Sequence, residues 1–305
     1  MSKKIIFMGT PDYATIILKE LIENRFQIEA VFTQPDKKVG RNQVITMPHI
    51  KQFILDNNFE FPIYQPITLR DDGVFEILNS IKPDFIIVAA YGQILPQNIL
   101  NIAPCINLHA SLLPKYRGAS PIQQSILNND KFSGVTAMMM ESGLDTGDII
   151  GLKYMEIDKH TTVDELFNHL SEIAASLTIE VLKVFSSIKP KKQNTNQASH
   201  CRKIIKEDGL TLFDDAMRFY QQYKAYKSWP GVYLGSGLKI KECSLNDSDT
   251  TNESGQILEI NKDHIIVGCK KGSLVVFEVQ APSKKSLSVL DYVRGARLNV
   301  GNFLI

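Results

Sequence analysis

Phe85-Ile86-Ile87-Val88-Ala89-Ala90 decides the fold. The run is apolar throughout and lacks the alternation of a strand with one wet face. It therefore reads as a strand covered on both sides, the position of a central strand in a parallel sheet. Cys105–His109 is a second strand candidate downstream. Upstream, Lys4–Met8, Ile28–Thr33 and Pro62–Tyr64 have the same short, β-rich character. Helical patterns separate them over Tyr13–Asn24, Pro48–Asn57 and Asp71–Ile81, with Ile17, Leu18, Leu21 and Ile22 forming one apolar stripe in the first. Strands alternating with helices predict a doubly wound α/β domain on a mostly parallel sheet. Ser133–Met140 continues it as a further strand, and Val163–Phe185 as a long helix opened by Thr161-Thr162-Val163-Asp164-Glu165.

The chain of 305 residues exceeds one comfortable core, so two domains are expected. Hydrophobic residues at 44%, charged residues at 22%, 18 Gly and 13 Pro argue against a disordered, collagen-like or disulfide-rich chain. No apolar run approaches the roughly 20 residues that span a bilayer. The N-terminal Ile5-Ile6-Phe7-Met8 ends at Gly9-Thr10-Pro11, too soon for a secretion signal, so a cytoplasmic protein is expected. Cys105, Cys201, Cys243 and Cys269 show no metal-binding or redox spacing; reduced thiols and no metal are expected.

Charge is divided along the chain. Residues 1–185 carry 16 basic and 21 acidic side chains, a balance of −5; residues 186–305 carry 18 and 12, a balance of +6. A basic second half implies a polyanionic partner. The window 186–206 has six basic residues and no acid, and it reads as an exposed linker between domains at 1–185 and 207–305. Short β-like runs at Ile257–Ile260, Ile265–Cys269 and Leu274–Gln280, separated by turn residues, predict a small barrel in the second domain.

Three motifs carry candidate chemistry. Gly9-Thr10-Pro11-Asp12 stands where a dinucleotide fingerprint would, but only its first glycine is intact. A structural turn opening a helix is the better reading, and NAD is not expected. Asn107-Leu108-His109-Ala110-Ser111-Leu112-Leu113-Pro114 ends a strand, with Asn107 and His109 on one face about 7 Å apart. An amide donor beside an imidazole suits a reaction in which negative charge develops on an oxygen. Glu141-Ser142-Gly143-Leu144-Asp145-Thr146-Gly147-Asp148 bends on two glycines, and Asp145 would orient His109 if the loop folds over it. Asn, His and Asp without a reactive Ser or Cys in register point to direct group transfer.

Asn107-Leu108-His109, Ser111–Pro114, Arg117-Gly118, Ser120-Pro121-Ile122, Gly134-Val135-Thr136 and Asp145-Thr146-Gly147 together resemble the folate-dependent formyltransferases. Phe7–Pro11, Thr33-Gln34-Pro35-Asp36 and Tyr91-Gly92-Gln93-Ile94-Leu95-Pro96 fit the same pattern. In the linker and the second domain, Ala198–Gly209, Trp229-Pro230-Gly231 and Gly295-Ala296-Arg297-Leu298 resemble members of the family that act on charged tRNA. The resemblance implies a Rossmann-like catalytic domain holding 10-formyltetrahydrofolate and an OB-like barrel that helps bind tRNA. The reaction it implies is formylation of methionine already esterified to initiator tRNA.

By the same resemblance Asn107, His109 and Asp145 are the catalytic set. Ser111, Leu112, Leu113, Pro114, Gly92, Ile94, Leu95 and Gly143 are expected around the folate. Arg41, Lys37, Lys38, Lys191, Lys192, Arg202 and Lys203 are the candidate tRNA contacts, and a monomer is expected. One departure stands out: the Lys-rich run common in the family after a Gly-Arg pair is replaced by Asn42-Gln43-Val44, which predicts a weaker share of phosphate contacts there. Trp229, followed by Pro230-Gly231, reads as a packing anchor between domains rather than a base-stacking residue. The competing readings are a sister enzyme acting on a sugar nucleotide, a glycinamide ribonucleotide or water, and a non-catalytic RNA-binding protein.

Overall fold

A computed structural model describes residues 3–40 and 42–304. The order of elements begins β1 (Lys4–Gly9), α1 (Asp12–Glu23), β2 (Gln27–Phe32), β3 (Lys37–Val39), β4 (Val44–Thr46), α2 (His49–Asp56), β5 (Ile63–Tyr64), α3 (Asp72–Ile81) and β6 (Phe85–Ala89). It continues with α4 (Gln97–Leu100), β7 (Cys105–His109), β8 (Arg117–Gly118), α5 (Pro121–Leu127), β9 (Phe132–Met139), β10 (Ile149–Glu156), α6 (Val163–Val184) and β11 (His200–Cys201). Then come α7 (Ala216–Tyr226), β12 (Val232–Tyr233), β13 (Lys239–Asp247), β14 (Ile257–Ile260), β15 (Ile265–Gly268), β16 (Ser273–Gln280), β17 (Leu287–Ser288) and α8 (Val289–Gly295). The chain divides into two compact units. One holds residues up to Pro121 with Phe132–Glu156 and Phe167–Cys201; the other holds Ile122–Lys131, Ile157–Leu166 and the chain from Arg202 onward.

The first unit is built on a seven-stranded sheet of order β10-β9-β7-β6-β1-β2-β5. From β7 to β5 every neighbour is parallel, whereas β9 and β10 add an antiparallel edge. All five residues of β6 are buried, as are the last five of β1, because helices cover both faces. The chain winds from β1 outward to β5, then returns to β6 on the other side of β1. That reversal opens a crevice at the carboxyl ends of β1 and β6, where ligands of such sheets bind.

Local chemistry fixes the turns that rim this crevice. A Cβ on Gly9 would lie 2.4 Å from the Cβ of Ala14 and 3.1 Å from the Ala89 carbonyl oxygen, so the close approach of helix and strand requires glycine. Pro11 precedes α1, its carbonyl accepts from the N–H groups of Ala14 and Thr15, and Asp12 stands in the first turn. The Tyr91 carbonyl, just past β6, accepts from Thr10 Oγ1 at 3.0 Å and Gln34 Nε2 at 3.2 Å. One carbonyl thus ties together the loops that follow β1, β2 and β6.

In the second unit, β12, β13, β16, β15 and β14 form an antiparallel sheet in that order, with β17 on the far end of β16. Three register shifts along β13 and β16 give this OB-like sheet its bends. Asp215 caps α7 by accepting the N–H of Arg218 at 2.9 Å. Trp229 is 54% exposed, so it is not a core anchor of its unit; it sits in the turn after α7. Among the described residues no helix is long and apolar enough to cross a membrane.

All four cysteines are free and buried. Burial pushes the Cys105 and Cys269 thiols up to about 12 and raises those of Cys201 and Cys243 as well. A raised value leaves less thiolate at any given pH, and thiolate is the reactive species. A disulfide reagent at mildly alkaline pH is therefore expected to titrate almost no thiol in the folded chain and all four after denaturation. Rapid labelling of any one in the folded protein would contradict this burial.

Candidate active site

The site begins at the carboxyl end of β7. Asn107 pairs with Val88 on one side and Met138 on the other, and His109 lies opposite Thr136. Past His109 the chain folds into a turn that its own polar groups hold. Thr136 Oγ1 donates to the Ser111 carbonyl at 2.7 Å and accepts from the Leu113 N–H at 3.1 Å, and Ser111 Oγ donates to the Lys115 carbonyl at 2.6 Å. The turn brings the Tyr116 carbonyl back to within 2.9 Å of His109 Nε2.

That contact settles which ring nitrogen is free. A carbonyl oxygen only accepts, so Nε2 carries the proton of the neutral imidazole. Nδ1 is left to face Asp145, whose Oδ2 lies 3.7 Å away. The ring is only 7% exposed and held on one edge, so Nδ1 points in a fixed direction.

Asp145 arrives from the loop between β9 and β10. Its carboxylate accepts from the backbone N–H of Gly118 at 2.8 Å and from Asn107 Nδ2 at 3.3 Å. The residue takes φ +52°, in the left-handed region, which costs an L-residue about 1–2 kcal/mol. Hydrogen bonds on its backbone hold it there: Gln193 Nε2 donates to the carbonyls of Asp145 at 2.9 Å and Gly147 at 2.8 Å. A Cβ on Gly147 would fall 1.8 Å from the Met139 carbonyl oxygen, so the loop closes this tightly only on glycine. At Gly118, φ is +119° and a Cβ would lie 2.1 Å from the Cys201 carbonyl oxygen. Glycine there lets β8 lie against β11 with its N–H turned to the carboxylate.

The structure thus brings Asn107, His109 and Asp145 together. It adds three groups that sequence reasoning did not single out: the Tyr116 carbonyl, the Gly118 N–H and the Gln193 amide. Arg117-Gly118 is one of the motifs that carry the family resemblance, but nothing in its letters assigns a backbone N–H to a carboxylate. Gln193 lies in the segment read as a linker. That segment is largely exposed, as expected of a linker, yet it is fastened: Lys191 exchanges two backbone hydrogen bonds with Ile149, and β11 pairs with β8.

Two neighbouring groups that resemble nucleophiles are disarmed. Cys201 Sγ is buried 3.4 Å from the Tyr116 carbonyl, and burial, with a smaller push from the Asp145 charge, raises its thiol. The Ser111 hydroxyl is committed to Lys115. The arrangement offers donors and a proton acceptor around one point, with no group poised to form a covalent intermediate.

The other expected site residues are more dispersed. Leu113 is buried, and Leu112 and Pro114 are half-buried along the turn after β7. Gly92 takes φ +86° beside the tied Tyr91 carbonyl. Ile94 is 74% exposed, whereas Leu95 packs into the hydrophobic core with Tyr91 and Ile99. Gly143 is exposed in the Asp145 loop, where a Cβ would lie 2.1 Å from Thr146 Oγ1.

Lys37 and Lys38 lie exposed on a hairpin of β3 and β4 that sequence patterning did not predict, beside the exposed apolar side chains of Val39, Val44 and Ile45. Arg41 lies outside the described residues. Lys191, Lys192 and Lys203 are exposed. Arg202 is engaged by Asp208, whose carboxylate it holds with both terminal nitrogens, so its charge is already partly answered.

Residues 3–182 match the model of the formyl transferase family and residues 203–297 that of the formyl transferase C-terminal domain. A methionyl-tRNA formyltransferase of a Nitratiruptor species is 52% identical over 98% of this chain and 99% of its own. One from Sulfurimonas denitrificans is 51% identical over 99% of each. Among solved structures, an N-formyltransferase from Helicobacter canadensis in complex with folinic acid and dTDP-3-aminofucose superposes with a TM-score of 0.68 at 21% identity, covering 91% of this chain and 99% of that one. HypX from Aquifex aeolicus in complex with tetrahydrofolic acid gives 0.67 at 15%, covering 98% of this chain and 48% of that one. At those identities the structures speak for the fold alone. With both domain models matched and relatives half identical along nearly its whole length, the chain belongs to the formyl transferase family.

Proposed function

We propose that the protein transfers the formyl group of 10-formyltetrahydrofolate to the α-amino group of methionine on initiator methionyl-tRNA. One observation carries the chemistry: the convergence of Asn107, His109 and Asp145 on a single point at the end of β7. The acceptor follows from the relatives named for methionyl-tRNA, which match this chain across both units. Residues 1–185 form the catalytic domain, 186–206 the basic linker and 207–305 the tRNA-binding domain of a cytoplasmic monomer.

The amino nitrogen bonds to the formyl carbon and loses one proton; the bond from that carbon to the folate nitrogen breaks, and the nitrogen gains one. Asn107 Nδ2 and the Nδ1–H of His109 in its doubly protonated imidazolium form, with Nε2–H still held by Tyr116, stabilise the negative charge that develops on the formyl oxygen. The Tyr116 carbonyl keeps the imidazole from turning away. Asp145 accepts the proton released by the amine, directly or through water, and His109 Nδ1 supplies the one taken up by the leaving nitrogen. Ser111–Pro114, Gly92, Ile94 and Leu95 with Gly143 form the surroundings of the folate in this reading. Leu95 acts from the core by supporting the loop that carries Ile94.

Lys37, Lys38, Arg41, Lys191, Lys192, Arg202 and Lys203 are the proposed tRNA contacts. Each phosphate they neutralise releases counterions, so affinity falls as salt rises.

Asn107→Ala and His109→Ala are each expected to lower kcat on the order of 10²–10³-fold while the chain folds normally. A folded His109→Ala protein with full activity would remove this mechanism. Replacing Lys191 and Lys192 together by Ala is expected to weaken tRNA binding and flatten the slope of log affinity against log salt by about 1–2. An unchanged slope would take these lysines out of the interface. Initiator and elongator methionyl-tRNA assayed side by side test the acceptor, and tRNA-independent turnover of an amino sugar nucleotide would favour the sister activity.

A further inference from the structure

Gln193 lies in a stretch that sequence reads only as a tether, and the proposed mechanism gives it no part. We infer that Gln193 is a positioning residue for Asp145, a bolt that the linker inserts into the active-site loop. The inference rests on the reading of Asp145 as part of the formyl-transfer machinery.

The side chain is fully used. Nε2 donates to the carbonyls of Asp145 and Gly147, at 2.9 and 2.8 Å. Oε1 accepts from Nε and Nη2 of Arg117, at 3.1 and 2.8 Å. Arg117 is itself only 5% exposed, so the bolt is seated on a buried guanidinium whose planar fork fixes its direction. The two carbonyls that Gln193 holds are that of Asp145, the residue with the positive φ, and that of Gly147 two residues on. No other type of side chain of this length offers two donors on one atom and an acceptor on the other.

The same strip of chain fixes the other partner of the carboxylate. The Ser199 carbonyl accepts from the Arg117 N–H at 2.8 Å, and the Cys201 carbonyl from the Ala119 N–H at 3.1 Å. Between these two bonds lies Gly118, whose N–H grips Asp145 Oδ2. Residues 191–201 therefore hold both the loop that carries the carboxylate and the donor that receives it. A linker doing only the work of a tether would need none of these bonds.

Gln193→Glu is the discriminating variant. It keeps the volume and the acceptor facing Arg117 but puts a second acceptor where Nε2 donated to two carbonyls. In the full chain, Gln193→Glu and Gln193→Ala are both expected to lower kcat on the order of tenfold to a hundredfold, with KM for either substrate little changed. In an Asp145→Asn background, adding Gln193→Glu is expected to cost less than about twofold, because its effect runs through the carboxylate. Hydrogen exchange of the same variants reads the bolt without any substrate: the Gly118 amide and the loop 141–148 should exchange faster by about tenfold, while β1 and β6 stay protected.

Wild-type kcat in Gln193→Glu, a full additional loss in the Asp145→Asn background, or unchanged exchange at Gly118 and the loop would each overturn the inference. If the wild-type chain formylates no methionyl-tRNA, the functional reading fails on its own. The exchange measurement then still decides whether Gln193 holds the loop.

Discussion

The backbone N–H of Gly118 donating to the carboxylate of Asp145 is the contact on which the site depends. It joins two segments far apart in sequence, and a hydrogen bond to a charged group contributes about 1.5–3 kcal/mol, enough to hold a loop residue in a costly backbone conformation. Without it, the carboxylate of Asp145 keeps only the longer 3.3 Å contact from Asn107, and the acid beside Asn107 and His109 loses its shortest hydrogen bond. Both ends of the contact demand glycine nearby, at Gly118 itself and at Gly147, because β8 against β11 and the loop against β9 leave no room for a Cβ. The sheet supplies the other half of the geometry. Its reversal at β1 and β6 opens the crevice, and its antiparallel edge puts Thr136 opposite His109 to lock the turn that returns Tyr116 to the ring.

Much of the fold was legible because burial leaves a pattern. The sequence pattern marks Cys105–His109 with the bounds the strand has, and β1, β2, β5, β6 and α6 within a residue or so, since apolar runs and helical stripes record what each element is buried against. The antiparallel edge was half visible. β9 is apolar and reads as a strand, but β10 alternates half-buried and exposed residues directly after a polar loop and carries no such run. The hairpin of β3 and β4 has only three residues a side, too few to show a period. Helix α7, with Phe219, Tyr220, Tyr223 and Tyr226 among polar residues, does not resemble an aliphatic stripe, although those aromatics form its buried face.

The proposed trio of Asn107, His109 and Asp145 was legible as residue types suited to one chemistry, and the family resemblance tied them together. What sequence hid was the support. A backbone carbonyl that fixes a histidine tautomer, a backbone N–H that receives a carboxylate and an amide that bolts a loop have no compositional signal, because almost any residue supplies the first two and the third looks like any polar side chain. Gln193 shows the difficulty: in a stretch of Lys, Asn, Thr and Gln it reads as solvated, and its partners are 46 and more residues away. Exposure and anchoring coexist in that linker, since its lysines face outward while its amide faces in.

Everything proposed for the reaction requires His109 to present Nδ1, not Nε2, toward Asp145. A long-range proton–nitrogen correlation spectrum of the ring-labelled chain, at alkaline pH where an imidazole is neutral, reads the proton's position directly. A proton resident on Nε2, with Nδ1 bare, is the expected result. A ring protonated at Nδ1, or one exchanging freely between the two tautomers, would mean that Tyr116 does not hold the imidazole, and would contradict the geometry from which the chemistry follows.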